Sequence, residues 1–290
     1  MSKKSVLITG CSNDGIGYGL AVHFQRRGFR VFATARSLSK ISNLEGLADV
    51  TFLELDICDQ TKVKAAVDQV TQETGGELDY LVNNAGINHS MPLLDEDIST
   101  AKHIFETKVW GQLAVTLALA PLLIKARGAV VFITFIAGHV NVPYMDERSP
   151  NHRDTSPTRS LEIMAEPLRL ELAPFQVRVL SIVTGGVQTL GQSHFDEFAL
   201  PEGAMYKSIE DTIAKRARGE DGKQRSSLRG HAEQVVTAIV AGTAGQFWCG
   251  QGAGATKFAS TYLPTSWMGR RWGLERDWTG SLEQCNEYGR

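Results

Sequence analysis

Six short runs rich in apolar and β-branched residues recur along this chain between longer stretches of helical spacing: SVLITG, RVFATAR, VTFLELD, LDYLVNNAG, GAVVFITF and VRVLSIV. That alternation constrains the fold more than any other feature. Strands separated by a helix-length segment cannot pair as hairpins, so the chain must cross over and return parallel, and such crossovers are right-handed. The expected class is α/β, a doubly wound parallel sheet with helices on both faces. GIGYGLAVHFQRRG reads as a helix stopping at Gly28, and TKVKAAVDQVTQETGG as one capped by Thr61 and ended by glycines. After about residue 190 the rhythm changes to polar helical stretches. The aromatic, glycine-rich segment GQFWCGQGAGATKFASTYLPTSWMGRRW that follows is expected to cover one end of the sheet. Residues 1–290 are read as one domain, with an inserted rim segment at about 141–156 and a substrate-covering C-terminal extension from about 190 to 290.

With 290 residues, 42% of them hydrophobic, the chain can bury one large core. A formal charge of -2 gives no reason to expect nucleic acid or an anionic membrane, so the partner is expected to be a small molecule. No apolar stretch at the N-terminus has signal-peptide length. The longest apolar run, LAVTLALAPLLI, falls short of the roughly 20 residues of a membrane span and reads as a buried helix. Cys11, Cys58, Cys249 and Cys285 form no CxxC pair, so neither a metal site nor a disulfide framework is expected. A reducing, cytoplasmic location fits.

The first strand runs through TGCSNDGIG, Thr9 to Gly17, into a helix. Glycines there let the backbone approach a pyrophosphate, and a helix N-terminus supplies unpaired N–H groups and a positive dipole to hold it. Gly10, Ser12, Gly15, Ile16 and Gly17 are therefore candidate cofactor contacts, although such turns also serve packing alone. Arg36 ends the second strand where an acidic residue would read the ribose of NAD; a guanidinium pairs with a 2′-phosphate instead, which favours NADP(H). The plainer reading is a solvated strand-end arginine, and Asp14 in the turn works against a phosphate. Asp56 in LELDI and NNAG at Asn83–Gly86 stand at strand C-termini, where open α/β sheets bind ligands.

TGxxxxGIG, LD and NNAG in this order resemble the short-chain dehydrogenase/reductase family, with one extra residue in the glycine-rich turn. The resemblance continues through LRLELAPFQVRVLSIVTGGVQT to LPTSWM, and is nearest the fungal 1-acyldihydroxyacetone-phosphate reductase-like branch. It implies a Rossmann-type domain holding NADP(H), with Asp56 and Ile57 flanking the adenine, Asn83, Ala85 and Gly86 along the adenosine, and Gly185, Val187 and Thr189 reaching the nicotinamide. It also implies a dimer or tetramer built through the long helices at ETKVWGQLAVTLALAPLLI and SLEIMAEPLRLELA.

Family members reduce carbonyls with Asn, Ser, Tyr and Lys acting together. Aligning FETKVWG, GAVVFITFIAG and the helix ending LRLELAPF puts Lys108, Phe135, Asp154 and Thr158 at those four positions. Thr134 is no substitute for the serine, because successive strand side chains face opposite ways. Tyr144 with Arg148 is a poor replacement pair, since arginine does not deprotonate. SPTRSLE reads as a helix start, with Ser156 as N-cap and Pro157 in the first position; Pro167 is expected to kink that helix. The charged, proline-marked segment before it is read as replacing the one that presents Tyr and Lys.

Asp154 is then a candidate proton acceptor or a plain helix-end carboxylate, and Lys108 a cation on the pocket floor or a side chain snorkelling to water. His139 and His89 are candidate proton relays or structural histidines. Phe135 makes the pocket more apolar, whereas Trp110 reads as core. The leading expectation is an NADP(H)-binding enzyme performing an atypical cyclisation, isomerisation or dehydration on a small hydrophobic specialised metabolite. The alternatives are an NADPH-dependent reductase of an activated C=N, C=C or C=O bond and a non-catalytic dinucleotide-binding protein.

Overall fold

The computed structural model describes residues 3–87, 89–139, 152–189, 198–220 and 222–264, giving the backbone alone for 152–156 and Arg216. Seven strands form one parallel sheet in the order β3-β2-β1-β4-β5-β6-β7: β1 (Ser5–Ile8), β2 (Arg30–Ala35), β3 (Val50–Glu54), β4 (Tyr80–Asn83), β5 (Ala129–Phe135), β6 (Arg178–Thr184) and β7 (Gly245–Cys249). The six runs expected as strands are all present. The seventh lies in the segment expected to cover the sheet: Gly245–Cys249 pairs with β6 in parallel, Leu180 to Gly245 through Thr184 to Cys249. Its glycines and aromatics hid a strand that ends the sheet among the described residues.

Side-chain alternation splits the core in two. Val6 and Ile8 join Val31, Ala33, Val82 and Val131 on one face, beneath α1 (Ile16–Arg26) and α7 (Leu228–Val240). Leu7 joins Phe32, Leu81 and Val130 on the other, beneath α2 (Gln60–Thr74), α4 (Gln112–Ala126) and α5 (His152–Leu172). A strand buried on both faces has no polar face to show, which is why these runs are continuously apolar. Between β4 and α4 stand α3 (Ile98–Phe105) and a π-helical turn, Glu106–Gly111. The chain continues after β6 with α6 (Glu210–Ala217), and after β7 with α8 (Ala253–Tyr262).

Local readings are corrected in four places. Asp59, not Thr61, caps α2, accepting from the Thr61 and Lys62 amides, because its short carboxylate reaches both orphan donors. Helix α5 already includes His152, so Ser156 is not its N-cap, and it runs on through Pro157 and Pro167 as one element. Asp154 and Thr158 therefore lie one turn apart on the same helix. Trp110, expected in the core, is 52% exposed. Finally, LAVTLALAPLLI belongs to a 29-residue helical run, Ile98–Ala126, whose most apolar 18-residue window has a mean hydropathy of 1.6, long and apolar enough to cross a membrane by length and composition only, a test that a buried core helix also passes. Val115, Leu119, Leu122 and Leu123 of that run are buried in the second core cluster. Of the rim segment expected at about 141–156, only residues from 152 onward are described, so Tyr144 and Arg148 lie outside the described residues.

Candidate functional site

The sheet order reverses between β1 and β4, and the cleft outside the strand C-termini at that switch point is where open α/β sheets take ligands. A cavity of about 500 Å³ opens there, within the usual range for small-molecule pockets.

Its first wall is the turn between β1 and α1. Gly10 has φ 72°, and a Cβ there would stand 2.8 Å from the Ala85 Cα, so only glycine lets the β1 and β4 ends lie this close. At Gly17 a Cβ would meet the Gly10 carbonyl oxygen at 2.4 Å. Gly17 is buried behind the cavity wall, where it fixes the seat of α1, while Gly10, Ser12, Gly15 and Ile16 line the cavity itself. Gly15 is the N-cap of α1; no side chain caps it and no acidic residue occupies the first turn. That helix end therefore offers its amides and positive dipole to an anion. Asp14 holds the turn's shape at φ 56°, a left-handed conformation that Asp tolerates better than most residues.

Asn84 ties this turn to β4. Its Nδ2 donates to the carbonyl oxygens of Thr9 (2.9 Å) and Gly10 (2.8 Å), while Thr9 Oγ1 accepts from the amides of Asn84 and Ala85. Asn84 lines the cavity; Asn83, the expected contact, is fully buried and donates to Thr116 Oγ1 at 2.9 Å. The two asparagines point to opposite faces by the period of the strand. Ala85 and Gly86 line the cavity as expected, and Gln112 holds the Ala85 carbonyl from α4 through a 2.9 Å hydrogen bond.

The second wall carries Arg36, Asp56 and Ile57, together with Lys40, which the sequence reading did not single out. Arg36 and Lys40 are exposed, placing two cations on the rim of the same cavity. Asp56 Oδ1 accepts from the Cys58 amide at 3.0 Å, which shapes the loop after β3. Opposite this end of the sequence motif order, Gly185, Val187 and Thr189 line the cavity beyond β6. Their loop is pinned by remote backbone: Gly186 N donates to the Gln251 carbonyl (2.9 Å) and Gln188 N to that of Ser226 (2.9 Å).

Three of the four positions aligned with the family's catalytic residues, Lys108, Phe135 and Thr158, line the cavity. Lys108 projects from the π-helical turn and is only 6% exposed, so it does not snorkel to water; its stem passes over Gly86. Such turns widen a helix by one residue and recur at functional sites. Thr134 faces away from the cavity wall and donates to the Ile182 carbonyl oxygen at 3.1 Å. The Asp154 side chain lies outside the described residues.

His139 is not in the cavity wall. Its Nε2 stands 2.7 Å from the buried Glu162 carboxylate, and its ring lies against Trp248, with centroids 4.5 Å apart. His89 Nε2 lies 2.8 Å from Glu96 on the loop after β4, also outside the lining.

Two buried lining atoms have no hydrogen-bond partner among the described residues, Thr184 Oγ1 and Gln112 Oε1. Buried polar atoms left this way are groups a ligand or water satisfies. An uncapped helix N-terminus, a glycine cradle, a dicationic rim and these atoms together fit a phosphorylated dinucleotide.

The fold and cavity define a parallel α/β protein of the dinucleotide-binding type. The profile of the family described as short chain dehydrogenase matches residues 4–198. Short-chain dehydrogenase PC-15 of Penicillium crustosum is 39% identical over 264 residues, covering 91% of this chain and 94% of that protein. The NADPH-dependent 1-acyldihydroxyacetone phosphate reductase of Schizosaccharomyces pombe is 37% identical over 209 residues, 71% of this chain and 68% of that one. A solved short chain dehydrogenase from Burkholderia cenocepacia, in complex with NADP, superposes with TM-score 0.71 at 24% identity over 93% of this chain and 97% of its own. The chain belongs to the short-chain dehydrogenase family.

Proposed function

We propose that the chain holds NADP(H) in this cavity and catalyses a non-standard reaction, a cyclisation, isomerisation or dehydration, on a hydrophobic specialised metabolite. The observation that carries the reading is the composition of the cavity lining: Lys108, Phe135 and Thr158 all belong to it, so a buried cation, an aromatic ring and a small hydroxyl stand at the positions aligned with the family's catalytic residues. The NADP-bound relative structure and the NADPH-dependent reductase among the relatives support the cofactor. Arg36 and Lys40 would hold its 2′-phosphate, and the α1 N-terminus its pyrophosphate. When bound, the group would supply hydride only in the reductive reading given below; in the redox-neutral one it is held without net hydride transfer.

Cyclisation, isomerisation and dehydration beside a carbonyl each require a proton to leave carbon while charge builds on oxygen. Asp154 is the proposed proton acceptor, because an aspartate carboxylate is ionised at neutral pH unless strongly desolvated. The Lys108 ammonium is the proposed partner of the developing oxyanion, a contact that strengthens in a site shielded from water. Phe135, Leu161 and Val187 favour an apolar substrate body. The cytoplasm is the proposed location, and the exposed Leu117 of α4 with Ile163 and Leu170 of α5 support assembly into dimers or tetramers through those helices.

A second reading is an NADPH-dependent reductase of an activated double bond, favoured by the likeness to the NADPH-dependent 1-acyldihydroxyacetone phosphate reductase of Schizosaccharomyces pombe. Incubating the protein with NADPH and a panel of hydrophobic 1,3-dicarbonyls separates the two. A product of unchanged mass, or lighter by one water, formed without NADPH oxidation supports the first; gain of two hydrogens with matched NADPH oxidation supports the second. In either case Asp154→Asn and Lys108→Met are expected to lower turnover by about a hundredfold or more. Full activity in both variants would remove these residues from the mechanism.

A further inference from the structure

Glu162 lies on α5 one turn beyond Thr158, and although it is a carboxylate it is 2% exposed. Two cationic or protonatable groups approach the same oxygen, Oε2: Arg159 Nη1 donates to it at 3.0 Å, and His139 Nε2 stands 2.7 Å away, at ion-pair distance though not aligned for a hydrogen bond. Arg159 belongs to α5, but His139 ends the short turn Ile136–His139 that directly follows β5. The two elements are flush there: a Cβ on Gly138 would lie 3.4 Å from the Arg159 amide nitrogen and 3.5 Å from the Thr158 Cγ2. Trp248 of β7 closes the other side of the His139 ring. A carboxylate is retained in such a place only while its partners hold it, and removing the charge leaves those partners unpaired.

The residues on either side of this grip matter for the cavity. Phe135 is the last residue before the turn, and Thr158 and Leu161 lie within one helical turn of Glu162; all three line the cavity. We propose that Glu162 is a positioning residue, whose carboxylate clamps α5 to the turn after β5 through His139 and so fixes the wall formed by Phe135, Thr158 and Leu161. The opposite wall, carrying Arg36, Lys40, Asp56 and Ile57, hangs from β2 and β3 and is independent of the clamp.

The test uses the full chain without cofactor, wild type against Glu162→Gln, in hydrogen exchange followed by mass spectrometry. Amides of 133–139 and 158–165 are expected to exchange about tenfold faster in the variant, while those of 9–17 keep their rates. Unchanged exchange at 133–139 overturns the clamp. A second arm rests on the cofactor assignment: NADPH and 2′,5′-ADP, which carries only the adenosine half, are titrated calorimetrically. Affinity for NADPH is expected to fall about tenfold with that for 2′,5′-ADP within about twofold. Equal losses, or none, overturn the positioning role. If the wild type binds neither ligand, the cofactor reading fails, and the exchange arm still decides the clamp. Should Glu162→Gln not accumulate as folded protein, His139→Gln removes the cross-element half of the grip and is read identically.

Discussion

At the scale of single residues, the cavity depends on places where one side-chain atom more or less decides the geometry. Gly10 combines a left-handed backbone with a 2.8 Å approach to Ala85, so Gly10→Ala faces both a φ penalty and a backbone clash. It is expected to destabilise the protein by about 1–3 kcal/mol and to abolish NADPH binding, as read by denaturant unfolding and by nicotinamide fluorescence. Retained stability and binding would mean that the turn relaxes at little cost. Arg36 shares its rim with Lys40. Arg36→Ala is therefore expected to weaken NADPH by about tenfold while leaving NADH nearly unaffected, the remaining selectivity residing in Lys40. Equal weakening of both nucleotides would assign Arg36 to packing rather than to the 2′-phosphate.

At the scale of elements, α7 and β7 bring together a pair with a pH signature. His231 is fully buried, with its Nδ1 3.6 Å from the Cys249 sulfur, and burial pushes its pKa down to about 4. Burial also pushes the Cys249 thiol up to about 12, so no thiolate is present at neutral pH to stabilise an imidazolium. The folded state thus binds the proton more weakly than the unfolded chain, whose histidine has the ordinary value of 6.5. Stability from this group is fully present above about pH 6.5 and is lost as the pH falls through about 4, an effect of about 3 kcal/mol. Denaturant midpoints at pH 7 and pH 4 are expected to show this loss in the wild type and to lack it in His231→Leu. An equal acid loss in both would place the sensitivity elsewhere. The π-helical turn at Glu106–Gly111 is the other element with a consequence, since it presents Lys108 inward where an uninterrupted surface helix would carry a lysine to water.

At the scale of the whole molecule, the site is assembled from both halves of the sheet. One wall comes from the ends of β1, β2 and β3, and the other from α4, β5, α5 and the loop after β6. The segment 223–227 and Gln251, far along the chain, then fix the loop carrying Val187. The two walls are held by different contacts. Changes in the second can therefore redirect chemistry while dinucleotide binding survives in the first, which is the separation that the 2′,5′-ADP titration measures. The same separation would accommodate a chain whose glycine turn and NNAG motif match the family while all four of the positions expected to align with its catalytic residues carry other residues.

Read alone, the chain already specified its first six strands, the parallel class and most of the cavity wall at the ends of β1 to β3. These depend on local periodicity and on glycines whose role is fixed by immediate neighbours. It also placed Lys108, Phe135 and Thr158 in one site, through spacing relative to family motifs. What it left open depends on pairing between distant segments. Gly245–Cys249 is a strand because β6 offers it an edge, which its own glycine-rich composition does not reveal. Lys40, Asn84 and Gln112 join the cavity by tertiary approach. Asn83 and Asn84 could be told apart only once the face of β4 was known. His139 left the candidate relay because Glu162, 23 residues away, holds it behind the wall. Tertiary structure decided these matters because a side chain's partner across elements leaves no periodic trace in the chain.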